Sequence, residues 1–239
     1  MEEALRRIRR WKKQKKPRKW LNVSGLGLTE LPLIPSKVRR LLCVRNQLKT
    51  FDNLPKRLQE LACGGNTFET LETLPPNLKK LYCCGVKTLK CINKVPDSIE
   101  YMNLGYCSYL ETIYHLPSCL ESLDLRDTYR LNYIEYFPPN LNHIYITDAD
   151  LETLPPLPVT LTVLECLHMK NLNYLPKLPE SLLWLSIYSC NLQSLPDLPS
   201  QLQFLEIDSN HDLIPPTNLP NTLVRYICDQ SELCFNNDD

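Results

Sequence analysis

The apolar residues of this chain recur on a period that neither a single helix nor a hairpin produces. "LPESLLWLSIYSC", from Leu178, and "LPSQLQFLEIDSN", from Leu198, place aliphatic residues at matching offsets from a proline. That proline returns as Pro35, Pro55, Pro75, Pro96, Pro117, Pro138, Pro158, Pro179, Pro199 and Pro220, spaced by 20 or 21 residues, the signature of stacked structural repeats. The third residue after each is Val38, Leu58, Leu78, Ile99, Leu120, Leu141, Leu161, Leu182, Leu202 or Leu223. The sixth is aliphatic or methionine in every unit but the last, which carries Tyr226, and the eighth is small or aliphatic. A partial unit, "WLNVSGLGLTELP", precedes them from Trp20.

Alternation at the sixth and eighth positions predicts a short strand with one face inward. Asn46, Asn66 and Asn210, eleventh in their units, turn the chain out of that strand. One such turn cannot bury its own leucines, so neighbours must stack and share a core, their strands about 4.8 Å apart in a parallel sheet. Return segments such as "QSLPDLPS" are short and proline-interrupted, which predicts extended, polyproline-like returns in place of helices. The fold class expected is a curved, mainly parallel β-solenoid of the leucine-rich repeat kind, with residues 20–234 forming about eleven turns.

Charge changes the picture only at the ends. The total is balanced at 27 basic and 27 acidic residues, yet the first twenty residues hold ten Lys or Arg against two Glu, leaving +8 there and −8 on the rest. Ala4, Leu5, Ile8 and Trp11 recur at helical spacing, Glu2 and Glu3 suit a helix N-terminus, and Pro17 stops the pattern. Residues 1–19 are therefore expected to form a basic amphipathic helix capping the open end of the stack, with Leu5, Ile8 and Trp11 laid under Leu21 and Val23. Lys12, Lys13, Lys15, Lys16, Arg18 and Lys19 also make a run of the nuclear-localisation or nucleic-acid-binding type. Residues 235–239 read as an acidic tail.

"WLNVSGLGLTELP" followed by serial "LPxxLxxL" units resembles the short LPX-type repeat domain of bacterial effectors of the IpaH and YopM class. Stand-alone repeat proteins of large DNA viruses are similar, and three alanines, eighteen asparagines, twelve tyrosines and eleven cysteines lean that way. The resemblance implies a module that binds host proteins in a host cytoplasm or nucleus. It does not imply catalysis: the IpaH ligase domain has a Cys-x-Asp motif, from which "CDQ" at Cys228 departs, and the repeats run almost to the last residue.

Candidate chemistry is sparse. Cys43, Cys63, Cys83, Cys166 and Cys228 take the inward eighth position, and Cys107 and Cys190 take the eleventh. They read as small buried hydrophobes, since zinc needs four ligands and a polar second shell. Cys84 is the outward exception. His115, His143, His168 and His211 share no offset, although His143 falls near Asp124 and Glu165. No metal, cofactor, small-molecule substrate, membrane span or catalytic site is expected.

Recognition is expected on the concave sheet. Its outward fifth, seventh and ninth positions carry Tyr82, Tyr101, Tyr145, Trp184, Tyr188 and Phe204, with Asp124, Glu165, Glu206, Asp208 and Asp229 among them. Exposed aromatics are enriched at interfaces, and from residue 120 onward seventeen acidic residues face five basic ones. A basic protein partner fits that surface. Two other readings remain: a structural or virion-associated component whose basic N-terminus contacts nucleic acid, and an adaptor recruiting targets to a separate ubiquitin ligase.

Overall fold

The computed structural model describes residues 1–14, 16, 18–228 and 231–234, the last four through the backbone alone. Helix α1 (Glu2–Lys13) opens the chain. Strands β1 (Leu21–Asn22), β2 (Arg40–Leu42), β3 (Glu60–Ala62), β4 (Lys80–Tyr82) and β5 (Cys91–Ile92) follow. Next come β6 (Tyr101–Asn103), β7 (Thr112–Ile113), β8 (Ser122–Leu125), β9 (Tyr133–Ile134) and β10 (His143–Thr147). The last are β11 (Val163–Leu167), β12 (Trp184–Tyr188), β13 (Phe204–Glu206), β14 (Arg225–Cys228) and β15 (Ser231–Cys234).

Each turn starts the same way. The carbonyl of the repeat proline accepts the N–H of the residue three further on, as in Val38 to Pro35, Leu120 to Pro117 and Leu223 to Pro220. Proline suits that place because its missing N–H costs no ladder bond and the residue before it is held extended. The turn delivers the next aliphatic side chain to the core and feeds the strand. The strands pair in the order β1-β2-β3-β4-β6-β8-β10-β11-β12-β13-β14-β15. All pairs are parallel except the last, in which β14 and β15 form an antiparallel hairpin over the final edge.

The register matches the repeat. Leu41 stands beside Leu61, Leu61 beside Leu81, and Leu164 beside Leu185, all fully buried. The eleventh-position asparagines do more than turn the chain. The Asn46 side-chain oxygen accepts the N–H groups of Leu26 and Leu28, while its amide donates to the carbonyls of Val23 and Cys43, each within 3.1 Å. It thereby satisfies backbone groups that burial would otherwise leave unpaired. The residue before that position adopts positive φ in turn after turn, including Arg45, Gly65, Gly85, Tyr106 and Asp148.

Four features differ in detail from expectation. The return side is extended, but not everywhere unpaired: β5, β7 and β9 make a second, three-stranded parallel sheet. Ile92, Ile113 and Ile134 supply β-branched residues there, whereas the later turns carry Pro155, Pro176 or Pro196, which cannot donate to a ladder. In α1 the buried stripe is Ala4, Ile8 and Trp11, and Leu5 is left 38% exposed. Residues 4, 8 and 11 share one helical face, and Leu5 lies off its axis. The helix also ends at Lys13, before Pro17, which lies outside the described residues, as does the 235–239 segment. Cys228 is only half-buried, because its strand is covered on one side by the terminal hairpin alone.

Leu123, fully buried, tests the register. Leu123→Ala should lose about 2 to 5 kcal/mol and pull down the thermal melt of the whole stack. Gly64→Ala should also lower it, because a Cβ there would stand 2.3 Å from the Cys84 carbonyl oxygen.

Candidate functional site

Parallel pairing lines up the outward residues in rows across the long sheet. One row runs Arg40, Glu60, Lys80, Tyr101, Ser122, His143, Val163, Trp184, Phe204 and Arg225. The next runs through Tyr82, Asn103, Asp124, Tyr145, Glu165, Ser186 and Glu206. Tyr188 and Asp208 follow one place further along their turns. The structure therefore brings the residues expected from the sequence onto one continuous face, and the ring centroids of Tyr82 and Tyr101 stand 5.1 Å apart.

Packing divides them. Phe204 is stacked on Trp184 at 3.7 Å between ring centroids and only 8% exposed, with the Arg225 guanidinium over its ring. It supports Trp184, itself 38% exposed, and offers little surface of its own. Asp124 is 3% exposed and held by Arg126 Nε and Nη2, by the Arg126 N–H and by the Asn103 amide. The expected exposed carboxylate is thus a neutralised pair, and it is Arg126 that reaches the surface, its guanidinium near the Tyr145 ring. Asp124 also holds the Arg126 pKa above its ordinary value. Tyr145 stacks on His143, and Tyr188 meets His168 edge to face. Asp229 lies outside the described residues.

Glu165 and its neighbours form the most distinctive part of this face. Ser186, between Trp184 and Tyr188 along β12, is 3% exposed. Glu165 on β11 and Glu206 on β13 flank it, while the aromatics bound it along the strand. The Ser186 hydroxyl donates to Glu206. Glu165 has no hydrogen bond or ion pair among the described residues, and partial burial pushes its pKa up, with Glu206 and Asp124 adding to the rise against Arg126.

The cysteines lie where their positions suggested. Cys43, Cys63, Cys83 and Cys166 are free, fully buried thiols, and burial pushes the Cys43 pKa up to about 12. Cys107 donates to the Cys83 carbonyl and Cys190 to that of Cys166. Cys84 is exposed, its pKa also raised by partial burial. Among the described residues there is no group of three His, Cys, Asp or Glu able to hold a metal ion, and no helix is long and apolar enough to cross a membrane.

At the capped end Lys12, Lys13, Lys16, Arg18 and Lys19 are exposed, and Lys15 lies outside the described residues. Sequence reasoning passed over the exposed tyrosines of the central turns. Tyr106, Tyr109, Tyr114, Tyr129, Tyr133 and Tyr136 are all exposed, and the rings of Tyr114 and Tyr133 stand 5.8 Å apart beside the small return sheet. They lie outside the fifth, seventh and ninth positions of their repeats.

No protein-family model matches the chain. No curated protein does either. Among solved structures, YopM from Yersinia pestis, a leucine-rich effector protein, is 27% identical, with a TM-score of 0.50 over 96% of this chain and 82% of that one. A leucine-rich repeat protein from Bacteroides ovatus is 16% identical, with a TM-score of 0.50 over 82% of this chain and 73% of that one. YopM from Yersinia enterocolitica is 21% identical, with a TM-score of 0.43 over 95% and 72%.

The raised pKa of Glu165 has a measurable consequence. Its proton is held more tightly in the folded chain, so its stabilising contribution is present at acid pH and lost as pH rises through the elevated value. At neutral pH the ionised carboxylate is a net cost. Glu165→Gln should therefore melt higher than the parent at pH 7, and the gap should close at pH 4. With its proline-led turns, parallel ladder and YopM likeness, the chain is a leucine-rich repeat solenoid.

Proposed function

We propose that this solenoid is a non-catalytic protein-interaction module that binds a basic segment of a partner protein on the outward face of its long sheet. The observation that carries the reading is Glu165: a half-buried carboxylate without an ion-pair partner among the described residues, paired in register with Ser186 on the strand that carries Trp184 and Tyr188. A carboxylate kept in that state at a cost to folding is a place where a cation is missing. A lysine or arginine side chain would restore the charge balance and lie against the aromatic rings, where cation–π attraction contributes about 0.5–2 kcal/mol. Tyr82, Tyr101 and Tyr145 extend the same face and would cover the rest of the segment.

The likeness to a leucine-rich effector supports a host protein as the partner, met in the host cytoplasm. Solenoids use their extended sheet surfaces in this way.

A fluorescent decapeptide alternating Gly with Lys or Arg, compared with its Glu-substituted counterpart, provides the test. The basic peptide should bind and the acidic one should not. Trp184→Ala should weaken binding by about thirtyfold, a hot-spot loss of about 2 kcal/mol. Glu165→Gln should weaken it and flatten its salt dependence. Affinity should also fall as pH drops through the raised Glu165 pKa. Equal binding of both peptides, or no effect of either substitution, would refute the reading.

A further inference from the structure

Capping the stack consumes only one face of α1. Ala4, Ile8 and Trp11 are buried against the first turn, and the Arg7 guanidinium donates to the Ser24 carbonyl. At 3.6 residues per turn, Arg6, Arg9, Arg10 and Lys13 fall on the opposite side. Arg6 is paired with Glu3, but Arg9, Arg10, Lys12 and Lys13 are exposed and have no ion-pair partner among the described residues. The Trp11 indole N–H donates to the Lys19 carbonyl at 2.8 Å, which brings the following segment back to the last turns of the helix. Exposed Lys16, Arg18 and Lys19 therefore join the helix cations at one end of the molecule.

We infer that this end is a second binding surface, and that its ligand is the phosphate backbone of nucleic acid. Three observations select that polyanion. Four helix cations have no ion-pair partner among the described residues, and the first twenty residues carry +8 against −8 elsewhere, so an anionic polymer is attracted here and repelled from the sheet. The apolar face of α1 is already spent on the core, leaving only Leu5 to enter a lipid surface, whereas interfacial helices need that face free. Six of the ten basic residues are helical and the Lys19 carbonyl is tied to Trp11, so they do not make a free strip to be captured in extended form. Contacts to phosphates alone carry no sequence information, so the binding is general.

The full-length chain would be titrated into a labelled 20-base-pair DNA duplex, with anisotropy read from 50 to 200 mM salt. About five phosphate contacts give a log–log slope of about −4.5, an affinity loss of about 500-fold over that range. A variant with Arg9, Arg10, Lys12 and Lys13 all changed to Gln should keep the parental melt, since all four are exposed, and its slope should shrink to about −1. Vesicles containing phosphatidylserine form the competing arm and should bind less well than the duplex at equal anionic charge. The inference is overturned if the duplex does not bind at 50 mM salt, if the Gln variant binds with the parental slope, or if vesicles bind better. The Glu165 and Trp184 substitutions should leave duplex binding unchanged, so this result and that of the sheet face stand or fall separately.

Discussion

A turn of this chain cannot keep water from its own leucines, and that single limitation organises the molecule. Each turn carries aliphatic residues on too short a segment to close a core, so burial is complete only when a neighbour lies against both sides. Stacking then demands that the backbone be satisfied between turns as well as within them. The sheet ladder does this on one side, and the Asn46, Asn66 and Asn210 amides do it at the exits of their strands. The same limitation explains the ends. A first turn has no predecessor, and α1 supplies Ala4, Ile8 and Trp11 in its place; a last turn has no successor, and the β14–β15 hairpin covers the sheet edge.

Because the interior is used up by stacking, chemistry is left to the faces. The thiols on consecutive strands are a consequence of this economy: a small side chain fits the eighth position, and deep burial raises the pKa of Cys43 and lowers its reactivity. The outward positions are under no such demand. The Arg126–Asp124 pair and the Trp184–Phe204 stack compensate groups that would be costly alone, while Glu165 has no hydrogen bond or ion pair among the described residues and only Arg126's field opposes its raised pKa.

The fold was legible because prolines and leucines at fixed offsets report backbone geometry directly, and strand parity then gives the outward rows. What depends on side-chain reach was not. Asp124 on β8 and Arg126 just past its end were both outward by parity, but parity does not say that Arg126 folds back onto Asp124. Nor does it say that Phe204 disappears beneath Trp184 and Arg225. The return sheet of β5, β7 and β9 was hidden for another reason: proline seemed to govern all the returns, yet where the later turns have Pro155, Pro176 and Pro196 the central ones have Asn93, Tyr114 and Glu135, and the Tyr114 and Glu135 N–H groups donate to the Ile92 and Ile113 carbonyls. The tyrosines around it escaped a search confined to strand positions.

Aromatic side chains are exposed both beside Glu165 and on the central return segments, and the proposed partner lies beside Glu165. Hydroxyl-radical footprinting of the aromatic side chains, with and without the bound partner segment, measures this directly. Protection of Tyr145, Trp184 and Tyr188 with unchanged labelling of Tyr106, Tyr114 and Tyr133 is the result the account predicts. Protection of the return-side tyrosines, with Trp184 and Tyr188 labelled as in the free chain, would contradict it.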